Sequence, residues 1–173
     1  MSQRLRVHAT LGSPGGGQIA SGLPVLDHLL TLLSEHGSLA LGLEVAPGGA
    51  GAEVAAAARA LGEALTESLH AEGVRGHGSA AVPADEALAH VALEVSDRPL
   101  VVSNVDLSDA RVAGLGSDLV SDFLNELAET AGLTLHVRLI EGSDPQHVLE
   151  AIFKALGAAL AQAARPRVRR EEE

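Results

Sequence analysis

The chain has 173 residues, enough for one domain with a substantial core, and its formal net charge of −11 argues against nucleic-acid binding, which needs clustered positive charge. Cysteine is absent, which excludes disulfides and thiolate ligands and leaves histidine and carboxylate for any metal site. No apolar run is long enough to span a membrane and the first residues carry no apolar signal core, so we expect a cytoplasmic protein without membrane contact.

The first half of the chain predicts two short strands, a helix, a strand and a second helix. Gly/Pro-rich segments separate these elements, the strand before the second helix alternates apolar and polar residues, and the leucines of the first helix share one face. The predicted bounds are 4–10, 17–21, 23–37, 38–45 and 52–71.

The second half predicts the same order of elements. Two strands are followed by a helix, a strand with alternating apolar residues and a long final helix. The predicted bounds are 88–96, 99–108, 117–132, 133–140 and 145–164.

The two halves also share residues at a fixed spacing of 95. Matching pairs include Asp27 with Asp122, Gly37 with Gly132 and Gly62 with Gly157. Chance similarity is the alternative, since Ala and Leu are abundant, but the shared order of elements makes chance the weaker explanation. We predict an α+β fold of two repeated β-β-α-β-α halves, roughly 3–73 and 86–164, packed as one domain over 1–173. Helices should back the sheets, and 165–173 should form a flexible charged tail.

The final helix carries polar residues on one stripe. His147 and Glu150 are three residues apart and share a helix face, so they could bind one metal ion, and Lys154 follows on the same stripe. Taken alone, this spacing is weak evidence, because a histidine and a glutamate at an exposed helix start are common. His136 lies on the strand before, on the face opposite its leucines. His28 follows Asp27 in the first helix and by itself could be an ordinary exposed histidine.

Two arginines lie in predicted loops near these elements. Arg98 sits between two strands, and Arg111 lies in the loop before the third helix. A guanidinium can hold phosphate oxygens with two hydrogen bonds, so these residues suit a phosphate ester, although most loop arginines only increase solubility.

Four blocks in order give the chain a family resemblance. GLPVLDHLLTLLSEHG, GSAAVPADEALAHVALEVSDRP, AGLTLHVRL and HVLEAIFKALGAAL together resemble imidazoleglycerol-phosphate dehydratase over roughly 17–164. The resemblance implies two repeated halves, homo-oligomers from a trimer up to a 24-mer, and two manganese ions. It also implies a hydro-lyase of histidine biosynthesis that removes water from imidazole glycerol phosphate.

The resemblance implies a metal-ligand set that this chain keeps in part. The family uses two His-His-x-x-Glu motifs, one per half, together with the histidines of its LDH and TLH blocks. The second motif retains its second histidine and its glutamate, but Gln146 replaces its first histidine. The matching ligands are His28, His136, His147 and Glu150.

The first motif and two other segments depart from the family. Gly51, Ala52 and Ala55 stand where that motif has its ligands. The N-terminal acid–base glutamate and the C-terminal Ser-Thr-Lys-Gly phosphate loop have no counterpart, so we assign no catalytic residue. The family's phosphate-binding positions are retained better than its metal ligands. The matching residues are Arg98, Arg111 and Lys154. Asp85 and Glu86 match the family's DEAL block near its site.

We therefore predict a dehydratase-like protein with weakened or lost activity, which binds one manganese ion or none instead of two. One alternative is a dehydratase rebuilt with residues such as Glu53 or Gln146. Another is a non-catalytic homologue that binds a phosphorylated ligand or a metal. A third is a structural partner of an intact dehydratase. The expected ligand is a small phosphorylated imidazole or an analogue.

Overall fold

The computed structural model describes residues 8–10, 18–106, 111–112 and 115–168. Its helices are α1 (Pro24–His36), α2 (Ala50–Leu69), α3 (Ser117–Ala131) and α4 (Pro145–Ala163). Its strands are β1 (His8–Thr10), β2 (Ile19–Ala20), β3 (Ala40–Glu44), β4 (His77–Ala84), β5 (Ala87–Val95), β6 (Leu100–Ser103), β7 (Arg111–Val112), β8 (Leu115–Gly116) and β9 (Leu133–Glu141). Within these ranges, no helix combines the length and apolar character that crossing a bilayer requires.

In the described residues the helices lie between a three-stranded and a four-stranded sheet, called here the smaller and the larger sheet, and β7 and β8 form a separate two-stranded sheet. The smaller sheet has the order β1-β3-β2, and the larger has the order β4-β5-β9-β6, in which only β6 runs parallel to its neighbour. Helices α1 and α2 pack on the smaller sheet, α3 and α4 pack on the larger sheet, and the pairs α1–α4 and α2–α3 contact each other. The predicted α+β fold with helices backing the sheets is confirmed.

The core follows from the apolar pattern of each element. Alternate residues of β5 and β9 face the helices and are buried, and α4 buries eleven of its residues. The buried strand residues are Ala87, Ala89, Val91 and Leu93 of β5 and Leu133, Leu135 and Val137 of β9. The only two phenylalanines of the chain, Phe123 of α3 and Phe153 of α4, pack with ring centroids 5.3 Å apart. Aliphatic side chains therefore fill the rest of the interior.

Both helix pairs cross at a glycine. A Cβ at Gly157 of α4 would lie 2.2 Å from the carbonyl oxygen of Leu33 in α1. A Cβ at Gly62 of α2 would lie 2.7 Å from Cβ of Thr130 in α3. The two glycines are 95 residues apart, and the internal repeat stays a prediction from the sequence.

Strand β4 was not predicted, because its sequence HGSAAVPA alternates weakly and contains Pro83. It forms an edge of the larger sheet, where a proline can be accommodated. The short strands β7 and β8 were not predicted either. The described part of the predicted strand at 4–10 is β1, and residues 4–7 lie outside the described residues.

The start of the predicted tail is held to the domain. Backbone N–H groups of Arg75 and Arg167 donate to the carbonyl oxygens of Arg165 and Gly73, at 2.8 and 2.7 Å. Residues 169–173 lie outside the described residues.

Candidate functional site

The N-terminus of α4 presents the polar residues that the sequence singles out. Pro145 fits the first turn, where its missing N–H leaves no donor unpaired. The Asp144 side chain caps the helix: its Oδ1 accepts hydrogen bonds from the backbone N–H of Gln146 at 2.8 Å and of His147 at 3.3 Å. This cap fixes where the following side chains point.

His28 of α1 meets Glu150 of α4 across the α1–α4 contact. His28 Nε2 lies 3.0 Å from Glu150 Oε1, although the residues are 122 positions apart in the chain. Gln146 Nε2 donates to the same oxygen at 3.2 Å. Glu150 is only 15% exposed and His28 is 52% exposed, so the pair lies at the protein surface with its carboxylate turned inward.

His147 faces the turn between β4 and β5 instead. Its Nδ1 lies 2.6 Å from Glu86 Oε2, and its Nε2 lies 3.3 Å from Asp85 Oδ2. Asp85 adopts a left-handed conformation, with φ of 50°, which turns the hairpin tightly. The match to the DEAL block placed Asp85 and Glu86 near the site, but no local spacing signals that they contact His147.

The Glu86 carboxylate is strongly stabilised in its charged form. The backbone N–H of Asp144 donates to it at 2.8 Å, and this hydrogen bond, followed by that from His147, lowers the pKa of Glu86 from 4.5 to about 2. The hydrogen bond to Glu86 in turn raises the pKa of His147 above its ordinary value. This part of the site therefore favours a charged pair.

His136 does not join the other three predicted ligands within one chain. It is exposed on β9, opposite Ala92 of β5, on the outer face of the larger sheet, as the alternation predicts. It borders a cavity of about 520 Å³, together with Arg75, His77 and residues of β4, β5 and β9. The histidine is accessible to solvent.

The three predicted phosphate-binding residues are not seen to converge. Arg98 is exposed in the β5–β6 turn, and its guanidinium makes no ion pair with the residues that the structure describes. Lys154 Nζ lies 3.5 Å from the Pro83 carbonyl oxygen. Arg111 begins β7, and its side chain lies outside the described residues.

The start of α2 has a different role from the start of α4. Glu53 is buried, at 7% exposure, and its Oε1 accepts a hydrogen bond from the Gly48 backbone N–H at 3.0 Å. A Cβ at Gly22 would lie 3.1 Å from this carboxylate. Glu53 therefore faces the backbone of two loops, a position unlike that of an exposed metal ligand.

The donor types suit a divalent metal ion. His28 Nε2 and Glu150 Oε1 are as far apart as two neighbouring ligands on one ion, since bonds of about 2.1 Å at a right angle separate the donors by about 3 Å. His147 offers a second imidazole. In the described ranges, however, no three histidine, aspartate or glutamate side chains converge so as to hold one ion. The residues fit a metal by chemistry, and the described residues of one chain do not by themselves complete a site.

Comparisons with known proteins point to one family. A family model described as imidazoleglycerol-phosphate dehydratase matches residues 21–160. The imidazoleglycerol-phosphate dehydratase of Syntrophobacter fumaroxidans is 40% identical over 94% of this chain and 84% of its own length. The enzyme of Moorella thermoacetica is 39% identical over 92% of this chain and 83% of its own length.

Solved structures give the same result. The crystal structure of imidazoleglycerol-phosphate dehydratase from Staphylococcus aureus superposes with a TM-score of 0.85 at 32% identity, over 96% of both chains. The Pyrococcus furiosus enzyme, solved in complex with (S)-C348, gives a TM-score of 0.84 at 28% identity, over 99% of this chain and 96% of that one. The resemblance in the sequence is confirmed, and this chain belongs to the imidazoleglycerol-phosphate dehydratase family.

Proposed function

We propose that this chain is an imidazoleglycerol-phosphate dehydratase-like protein of histidine biosynthesis whose activity is weakened or lost. The observation that carries this proposal is the replacement of ligands at both helix starts. Gln146 donates a hydrogen bond to Glu150 where the family motif has a histidine, and α2 has Gly51, Ala52 and Ala55 at the corresponding ligand positions. A site with half of its ligands should hold one manganese ion weakly, or none.

The remaining ligands would act at a boundary between subunits. His28, His147 and Glu150 lie at one end of α1 and α4, whereas His136 lies on the outer sheet face. A second copy that brings its His136 to this helix end would complete the set, so we propose a homo-oligomer between a trimer and a 24-mer. A bound ion would supply an electron sink for the substrate imidazole.

The chain's own residues would orient the rest of the substrate. Arg98, Arg111 and Lys154 carry the positive charge that a phosphate ester needs, and we assign phosphate binding to them. Half of the family's ligand positions are replaced in this chain, so metal activation of the substrate would be weak. Loss of one catalytic group typically lowers a rate by about 10²–10⁴-fold.

A second candidate function is that of a structural partner for an intact dehydratase. Three large apolar side chains at the larger sheet are exposed, at 44–57%: Leu100, Val102 and Ile140. Val102 pairs with His136 in the sheet register, so an apolar contact with another subunit would cover the region around this histidine. Such a subunit could contribute His136 to a neighbour's site without turning over substrate itself.

The decisive experiment measures turnover and metal content together. The purified protein is loaded with manganese, desalted, analysed for manganese per subunit, and assayed with imidazole glycerol phosphate beside the Syntrophobacter fumaroxidans enzyme. We expect at most one ion per subunit and a rate at least about 10²-fold below that of the relative. The Gln146→His variant should bind manganese more tightly than the wild type. Two ions per subunit and a rate equal to that of the relative would refute the proposal.

A further inference from the structure

The β4–β5 turn reaches the start of α4 through one carboxylate. Glu86 Oε1 accepts hydrogen bonds from the Asp144 backbone N–H at 2.8 Å and from the Ser143 backbone N–H at 3.3 Å. The Ser143 hydroxyl also lies 3.4 Å from this oxygen. These main-chain donors belong to the loop that leads into α4, so the position of the carboxylate is fixed independently of His147.

The other oxygen of Glu86 fixes the imidazole ring. His147 Nδ1 lies 2.6 Å from Oε2, and because a carboxylate can only accept, Nδ1 must carry the hydrogen. In the neutral ring the lone pair is then on Nε2, which lies 3.3 Å from Oδ2 of Asp85. This contact is longer than the one to Glu86, and the Asp85 side chain is 72% exposed, so a cation can lie between Nε2 and this carboxylate. The His147 side chain is 32% exposed, which leaves an open path toward the ring.

A histidine that binds a metal commonly donates its other ring N–H to a carboxylate, which sets the tautomer and the ring orientation. The arrangement of Glu86 and His147 has this form. We propose that Glu86 is a positioning residue that holds His147 with its Nε2 lone pair directed toward the exposed Asp85 carboxylate, where a divalent cation can bind. The inference rests on the proposed role of His147 as a metal ligand.

The loop donors make Glu86→Gln an informative change. The N–H groups of Ser143 and Asp144 require an acceptor, so they should hold the amide oxygen of glutamine at the Oε1 position. The amide NH2 must then face His147 and donate to Nδ1. The neutral ring would carry its hydrogen on Nε2 and could no longer offer that nitrogen to a cation.

The test uses the full chain and two readouts that do not depend on activity. Manganese affinity is measured by titration, with free manganese followed by electron paramagnetic resonance. The tautomer of His147 is measured by nitrogen NMR of histidine-labelled protein without metal, at a pH where the ring is neutral. We expect the hydrogen on Nδ1 in the wild type and on Nε2 in Glu86→Gln, with manganese affinity lowered by about 10–100-fold in the variant.

A matched control removes the same charge elsewhere. Glu63 is exposed on α2, and Glu63→Gln should keep the wild-type affinity and tautomer. An unchanged affinity in Glu86→Gln would overturn the inference. So would a wild-type ring with its hydrogen on Nε2, a measurement that needs no variant to fold.

The outcomes separate this inference from the proposed function. A wild-type protein that binds no manganese would overturn the inference while the proposal of weakened or lost activity stands. Turnover at the rate of the relative, together with a loss of affinity in Glu86→Gln, would overturn the proposed function and support the inference.

Discussion

Replacing Gly157 with alanine tests whether the close α1–α4 contact holds the site residues together. The added Cβ would lie 2.2 Å from the Leu33 carbonyl oxygen and 2.9 Å from its carbonyl carbon, whereas ordinary contacts begin at 3.4 Å. The obstacle is backbone, which cannot rotate away, so the two helices must separate by about 1 Å near the crossing.

This displacement has an energetic and a functional consequence. Overpacking of this kind costs about 1–3 kcal/mol, and the better helix propensity of alanine offsets about 1 kcal/mol, which leaves a net loss of about 0–2 kcal/mol. Because the obstacle is backbone, we expect the upper half of this range, about 1–2 kcal/mol. His28 and Glu150 lie on the same two helices, 3.0 Å apart. A separation of about 1 Å would take their atoms beyond hydrogen-bond distance.

Urea unfolding and manganese titration of the full chain measure both effects. Gly62→Ala is the matched control, because its Cβ would meet the Thr130 side chain at 2.7 Å in the other helix pair, away from His28. The control should lose stability but keep the manganese affinity of the wild type. A Gly157→Ala protein as stable as the wild type, or one destabilised with unchanged manganese affinity, would refute the reasoning.

Three further predictions concern single contacts. The low pKa of Glu86 means that its contacts stabilise the protein fully above pH 4.5 and lose this effect as the pH falls toward about 2. The raised pKa of His147 means that its contact stabilises the protein fully below pH 6.5 and loses this effect at higher pH. In thermal unfolding, the difference in stability between the wild type and Glu86→Gln should therefore be largest from pH 4.5 to pH 6.5. A difference that grows toward alkaline pH would contradict this prediction. Asp144→Ala should cost about 0.5–2 kcal/mol in urea unfolding, because α4 loses its cap, and an unchanged midpoint would show that the cap contributes nothing. His70→Phe should cost about 0.5–1.5 kcal/mol in the same assay, because the hydrogen bond from Nε2 to the Ala131 carbonyl oxygen, at 2.7 Å, is lost, and equal stability would contradict it.

The helices and strands with a regular spacing of apolar residues could be predicted from the sequence. Helix α1, with its buried leucine stripe, begins and ends within one residue of its predicted bounds, and β9 extends its predicted range by a single residue. Strand β4 could not be predicted, because its pairing with β5 and its cover by α4 stabilise it more than its own residues do. Gly78 of β4 packs so closely on α4 that a Cβ would lie 2.1 Å from the Ala159 carbonyl oxygen. The strand therefore depends on contacts with other elements more than on its own sequence.

The candidate site was predictable only in its parts. The helix period places His147 and Glu150 near one another, but it does not show that they turn to different partners, Glu86 and His28. Those partners lie 61 and 122 residues away in the chain, so only the fold brings them together. The resemblance supplied His28, and nothing in local spacing pointed to the hydrogen bonds of Glu86.

The buried carboxylate of Glu53 bears on how the protein reaches its fold. At the start of α2, the Gly48 N–H donates to this carboxylate and the Gly22 backbone packs against it, so the carboxylate has partners within the protein. In proteins that fold around an ion, the supply of that ion limits how much folded protein accumulates. Because α2 begins on protein partners, we expect this end of the chain to reach its structure without manganese, and the abundance of the protein should not follow the manganese supply.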